Sequence, residues 1–390
     1  MINLLYASTT ELDDVDLAIK EIHDGLQKSG TILKYAAGII TCHAEFVHYG
    51  ITERLCKSLP FNIVGTTTNA SSLPGQIDTI QLSLSVLTSD TVQMIAVATG
   101  ELTVENSDEQ LKNAYNEAIS KLTGNIKPKM MITFGPLMTV LSGEDLVDKL
   151  TVITDGLPIY GSISLDHNDD YHQAQTIYNG TPSFTKLNFL LLAGDFDFKF
   201  KCASISPACI ILTNAIITKS NGSILMEVND MKVKEYFRTL GLITANDTLE
   251  GSNIIPFVLD YKDGTEPVVR AIFMLDENEH AVCGGNMPVG SSLSIGSLNR
   301  DDVLSTTKNL VQQIIAEDNP SCIYLFSCIA RNFALGVDML AEMNMVDPLM
   351  KNVPYHFSYA GGEICPVYNS ALKKWINRFH NDTISICIFR

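Results

Sequence analysis

The apolar residues of this 390-residue chain fall into two alternating patterns. Val15, Ala18, Ile19, Ile22 and Leu26 recur at helical spacing. So do Leu111, Ala114, Tyr115, Ala118, Ile119 and Leu122, and again Val303, Leu304, Thr307, Leu310, Val311, Ile314 and Ile315. Each set makes one apolar stripe that must face a core. Ser107 and Gln110 read as a capping box opening the second of these helices. A short strand precedes each stripe, at Ile2–Ala7, Val92–Ala98 and Ser291–Ile295, and another follows, at Tyr35–Cys42, Lys129–Phe134 and Ile323–Cys328. Second helices are expected near Glu45–Leu59, Ser142–Thr154 and Phe333–Met345. Further strands then reach glycine-containing turns, and one or two more strands close each unit. The order β-α-β-α-β-β therefore occurs three times, which predicts an α/β fold of layered helices and sheets.

Residues 196–290 break the pattern. They read as a β-rich middle segment with strands near Cys209–Thr218, Ser223–Val228, Pro256–Leu259 and Val268–Leu275, interrupted by one helix, Met231–Leu240, that stops at Gly241. A domain boundary is placed before the first long strand of this segment, giving domains 1–207 and 208–390. A chain of this length exceeds one ordinary core.

Composition narrows the class. With 46% apolar and 18% charged residues the chain can bury a sizeable interior. Its net charge of −17 argues against nucleic acid as a partner. Nine cysteines at irregular spacing, with no CxxC, read as free thiols of a reducing compartment. No metal site and no cofactor are expected. His43-Ala-Glu-Phe-Val-His48 is only superficially like HExxH, because its histidines lie five apart. The N-terminus reads as a first strand, and no apolar run approaches a membrane span. A cytoplasmic protein is the expectation.

Three polar clusters stand where apolar strands end, the place where α/β sheets bind ligands. One is Gly65 with Thr66, Thr67, Thr68 and Asn69. The second is Gly161, Ser162 and Ser164, followed by Asp166, His167, Asn168, Asp169 and Asp170. The third joins Ser327, Cys328 and Arg331 with Gly361, Gly362 and Glu363, and with His380, Asn381 and Thr383. A buried Glu363 requires a partner, which Arg331 could supply. Each cluster also has a plainer reading, as a solvated turn, strand cap or structural ion pair.

The third cluster carries a family resemblance. Met287-Pro-Val-Gly290, Leu325-Phe-Ser-Cys-Ile-Ala-Arg331, Tyr359-Ala-Gly-Gly-Glu-Ile364 and His380-Asn-Asp-Thr383 resemble, in order, elements of the C-terminal domain of the FIST family. Ile159-Tyr-Gly-Ser162 and Thr176-Ile-Tyr-Asn-Gly180 are similar to its N-terminal domain. There Thr66 stands where the family has Cys, and Ala70-Ser71-Ser72 replaces Gly-Glu. The resemblance implies a sensory input module, acting with a signalling output domain or protein, that binds a small ligand such as an amino acid and has no catalytic activity. The expected ligand-binding residues are Arg331, Glu363, His380, Asn381, Thr383, Cys328, Gly362, Thr66, Thr67, Thr68 and Ser162, in a pocket between the two domains. The alternative from the same residues is an amidase or acyl transferase with Cys328 as nucleophile, His380 as base and Glu363 as orienter.

Overall fold

A computed structural model describes residues 1–137, 141–168, 170–250 and 254–390. The first unit runs from strand Asn3–Thr9 through helix Val15–Ser29 and strand Tyr35–Cys42. Helices Ala44–His48 and Ile51–Ser58 and strand Ile63–Thr67 follow, then a small hairpin and strand Leu82–Ser89. The second unit repeats this with strand Gln93–Ala98, helix Ser107–Ser120, strand Pro128–Gly135, helix Gly143–Ile153, strand Ile159–Ile163, a hairpin and strand Asn188–Ala193. In each sheet the first strand pairs with the last, the last with the second, and the second runs parallel to the third.

The third unit has the same order, but its first strand is Phe198–Ala203, which pairs with Ile384–Phe389. The expectation for Ser291–Ile295 is therefore corrected. That segment, strand Ser292–Gly296, pairs instead with Ile210–Asn221 and Phe257–Asp260. The true first strand escaped notice because its half-polar pattern, Phe-Lys-Phe-Lys-Cys-Ala, lies about a hundred residues before its helix, Arg300–Glu317. Between them the β-rich segment curls into a barrel. Residues 268–275 close it, Val268–Arg270 pairing with Phe257–Asp260 and Ile272–Leu275 with Ala281–Cys283. Its interior is filled by Ile217, Leu225, Phe237, Phe257 and Leu293.

Each of the three sheets is completed by an arm from another unit. Hairpin Ser71–Leu73/Gln76–Asp78 of the first unit joins the third unit's sheet, and hairpin Thr176–Tyr178/Thr181–Ser183 of the second joins the first. The third unit's arm, Glu363–Ile364 with Phe379–His380, joins the second. The inner faces meet in one core that includes Ile39, Val64, Phe134, Tyr160, Tyr324 and Phe326. Helices cover each outer face. Burial on both sides explains why strands such as Ile384–Phe389 read as continuous apolar runs.

Local signals explain most helix ends. The second helices of units one and three are each broken in two, at Gly50 (φ 71°) and near Gly336 (φ 67°), where a left-handed backbone favours glycine. Ser107 is the first helical residue and caps nothing. The capping box belongs to Ser142 and Asp145, so that expectation is corrected. All nine cysteines are free. Among the described residues no helix is long and apolar enough to cross a membrane.

Gly65 and Gly161 occupy equivalent positions on the third strands. A Cβ would fall 1.8 Å from the carbonyl oxygen of Ile40 at the first and 1.9 Å from that of Thr133 at the second. Backbone cannot yield cheaply there, so Gly65→Ala and Gly161→Ala should each cost about 3 kcal/mol or more of unfolding free energy. Urea denaturation of the two variants checks this, and a loss below about 1 kcal/mol at both would contradict it.

Candidate functional site

The parallel strand pairs of the three units end together, and the turns that follow them interlock. Thr68 Oγ1 donates to the Tyr359 carbonyl (2.8 Å), Leu165 N–H to Thr67 (3.3 Å), Gly361 N–H to Ile163 (3.1 Å) and Ile163 N–H to Gly362 (3.0 Å). The polar clusters after Gly65, Gly161 and Gly361 are thus neighbours. Gly362, at φ 140°, lies against the Phe379 ring, which a Cβ would meet at 2.3 Å.

The threonines of this junction spend their hydroxyls on backbone. Thr66 Oγ1 donates to Thr67 and Gln175 carbonyls, Thr67 Oγ1 donates to Gln175, and Thr68 Oγ1 donates to Ala70 as well as Tyr359. Asp166 accepts from the Asn168 and Gln173 amides, which makes it a turn-former, and His167 stacks on His43 at 4.0 Å. Asp169 lies outside the described residues.

Arg331 is fully buried and pairs with Glu342, not with Glu363. Its Nη2 donates to Glu342 Oε1 (2.9 Å), Thr307 Oγ1 (2.7 Å) and the Val303 carbonyl (3.0 Å), and its Nη1 to the Ser204 carbonyl (3.0 Å). Glu342 also accepts from Ser327 (2.9 Å) and Thr307 (2.6 Å). The expected Arg331–Glu363 pair is corrected for a topological reason. Glu342 stands on the helix Ala341–Met350 that packs back toward Arg331, whereas the strand carrying Glu363 leaves its own unit for the second unit's sheet.

In that sheet Glu363 lies directly between Ser162 and His380. Register partners on adjacent strands present side chains on one face, so the three form a row. His380 Nε2 is bonded to the Cys365 carbonyl at 2.9 Å, and burial pushes its pKa down to about 4. Ser162 Oγ has no partner at hydrogen-bond geometry, and neither has either carboxylate oxygen of Glu363 or of Asp382, although the nearby Thr383 amide favours the charged form of Glu363. These are the two acids, among the described residues, with both oxygens orphaned. Burial raises Glu363 well above the carboxylate range and the negative charge of Asp382 raises it further, while Arg331 opposes. Burial pushes Asp382 up to about 7, against the pull of Arg331. An orphaned buried carboxyl costs several kcal/mol, and such groups concentrate at functional sites.

The remaining candidates surround this pair. Thr383 Oγ1 donates to the Asn381 carbonyl (2.7 Å), and Asn381 Oδ1 accepts weakly from the Ala271 amide of the barrel (3.4 Å). Cys328 is buried. Burial drives its thiol far up, and Glu363 and Asp382 drive it further. No hydrogen bond joins it to His380 among the described residues. A cleft of about 420 Å³ lies outside the cluster, lined by Cys202, Ser204, Glu266, Val269, His380 and Thr383 among others. Two larger hollows, of about 700 and 760 Å³, flank the first unit's helices away from the orphaned groups.

Asp382 and Glu342 were not anticipated. Asp382 stands inside the His380–Thr383 segment but was not singled out there, and its left-handed backbone (φ 51°) leaves no local signal. Glu342 did leave a signal, since it shares four-residue spacing with buried Val346 and Met350. Arg270, fully buried against Glu144 at 2.8 Å, was missed as well.

The fold and this closed polar row define a multi-unit α/β protein with a buried acidic cluster. The chain belongs to the FIST family: the FIST N domain model matches residues 36–231 and the FIST C domain model residues 233–366. Family membership associates it with sensory roles in signal transduction. No curated protein matches it in sequence. The crystal structure of a cyanuric acid hydrolase from A. caulinodans is similar at 8% identity and a TM-score of 0.37, covering 100% of this chain and 99% of that one. A likeness that distant bears no argument.

Asp382 generates a pH prediction. A carboxyl whose pKa is higher folded than unfolded binds protons preferentially in the folded state. Its stability contribution therefore falls as pH rises from the ordinary 3.8 through about 7. Asp382→Asn should unfold later than the parent at pH 8, by up to about 4 kcal/mol, and show no advantage near pH 4. Denaturation of both proteins across that range reads the difference, and an advantage that does not grow with pH would contradict the assignment.

Proposed function

We propose that this chain is a cytoplasmic sensory input module that captures a small polar ligand at the Glu363–Asp382–Ser162 cluster and passes the signal to an output domain or protein. The observation that carries the reading is the set of five orphaned oxygens sealed in the interior. A ligand with hydrogen-bond donors would satisfy them. The cleft lined by Cys202, His380 and Thr383 among others gives an approach, since His380 pairs with Glu363 and Thr383 follows Asp382. One wall, residues 202–207, falls in the FIST N match, while Glu266 and Val269 fall in the FIST C match, so the approach runs between the two family domains.

The barrel is the part that could report occupancy. Arg270 of the barrel donates to Glu144 of the second unit (2.8 Å) and to the Phe379 carbonyl on the arm that carries His380 (2.8 Å). Entry of a ligand beneath that arm would strain these contacts and shift the barrel.

The cysteine-enzyme reading finds less support. A nucleophilic thiol needs a base or a cation beside it, whereas Cys328 faces two carboxyls and His380 gives its Nε2 to a carbonyl. Native Cys328 should react with iodoacetamide at least about a hundredfold more slowly than an exposed thiol. Fast alkylation with parallel loss of an acyl-transfer activity would favour the enzyme.

The binding reading is tested by thermal-shift screening of the purified chain against amino acids, amines and other small polar metabolites, followed by titration of each stabilising compound. Glu363→Gln should weaken a true ligand tenfold or more, about 1.4 kcal/mol, while leaving the fold intact by circular dichroism. Unchanged affinity in that variant would place the ligand elsewhere.

A further inference from the structure

We infer that the group this cluster captures is an ammonium or guanidinium with no carboxylate beside it, so that the ligand is a free amine and not an amino acid. The inference rests on the binding reading above and sharpens it. The unpartnered atoms are two carboxylates and one hydroxyl, from Glu363, Asp382 and Ser162. Carboxylates accept hydrogen bonds, so a multi-donor cation matches them.

An amino acid would bring a carboxylate into the same space and would need a cation to receive it. Arg331 is the buried cation whose charge reaches Glu363 and Asp382, and its donors are already committed to Glu342, Thr307 and the Ser204 and Val303 carbonyls. The residues lining the cleft include no Lys or Arg, and their one acid is Glu266. Once Glu363 and Asp382 are ionised, as cation capture requires, a second anionic group would meet them and Glu266 with no free partner. A metal ion is the other cation to consider. Among the described residues, no three His, Cys, Asp or Glu side chains are grouped to hold one, and divalent ions require more oxygen ligands than this pair offers.

Burial of the same groups also gives the capture a pH dependence. Around Glu363 stand Asp382, Arg331, Glu342, Cys328, Cys202, Cys365 and His380. The thiols and His380 are held neutral by burial, and Arg331 is neutralised by Glu342. The two orphaned carboxyls are thus left to retain protons near neutrality. A cation that binds them must displace those protons, so its affinity should rise with pH between about 6 and 8.

The test uses matched pairs of an amino acid and its decarboxylated amine: serine with ethanolamine, lysine with cadaverine, arginine with agmatine. Calorimetry on the full chain at pH 6, 7 and 8, in buffers of different ionisation enthalpy, gives both affinity and proton release. At least one amine should bind tenfold or more tighter than its parent amino acid, tighten with pH and release protons. Glu363→Gln and Asp382→Asn, each confirmed folded, should weaken it and flatten its pH dependence. If amino acids bind as tightly as their amines and Glu363→Gln still weakens them, the site survives and the amine assignment falls. If an amine binds but neither variant changes its affinity, the site itself is misplaced. Failure of all three amines to bind at millimolar concentration overturns the inference.

Discussion

The exchange of arms between units fixes most of what this protein is. Each sheet ends on a parallel strand whose outer edge would otherwise be open, and an arm from another unit closes it. An open strand edge invites aggregation, so closure by exchange removes a liability and ties the three units into one core. Register matters here in a particular way. A slip of one residue between the third arm and the second unit's sheet would break the Glu363–Ser162 register and move Ser162 to the face opposite Glu363 and His380. The two-residue strand Glu363–Ile364 is short, but the backbone of Gly361 and Gly362 just before it exchanges hydrogen bonds with Ile163 of the second unit (3.1 and 3.0 Å).

The same exchange shows how far the sequence could be read. Helical stripes and apolar strands are local, so the repeated βαβαββ order could be recognised from spacing alone. The partner of a strand is not local. Nothing in Phe198–Ala203 announces that it pairs with the last strand of the chain, and a barrel intervenes before its helix. The polar clusters were legible as residue types at strand ends, and the interlocking turns bring them together. Their hydrogen-bond economy was not legible. Whether Arg331 meets Glu342 or Glu363 depends on which unit receives the arm, and no pairwise pattern in the chain records that.

Electrostatics separates the two buried acidic groups. Arg331 and Glu342 lose their hydration on burial, yet every strong donor and acceptor between them finds a partner, which is the condition under which a buried pair persists. Glu363 and Asp382 lose as much and regain almost nothing from the protein. Burial pushes both carboxyls toward their protonated forms, Asp382 up to about 7. Three buried acids in one neighbourhood, Glu342 saturated and Glu363 and Asp382 bare, are difficult to explain by folding alone. Packing would be served as well by apolar residues of the same shape.

The bare pair is also placed where a change in it would be felt. Phe379 and His380 sit on one arm. The Phe379 carbonyl receives Arg270 of the barrel, and Asn381, next along the chain, lies so close to Gly284 of the barrel that a Cβ there would fall 2.3 Å from its amide oxygen. Arg270 in turn holds Glu144, whose carboxylate also accepts the Asn286 amide (2.6 Å). Barrel, arm and second unit are therefore joined at one buried guanidinium, and none of the three can shift without breaking a charged hydrogen bond in a dry interior. Such a junction has few intermediate positions.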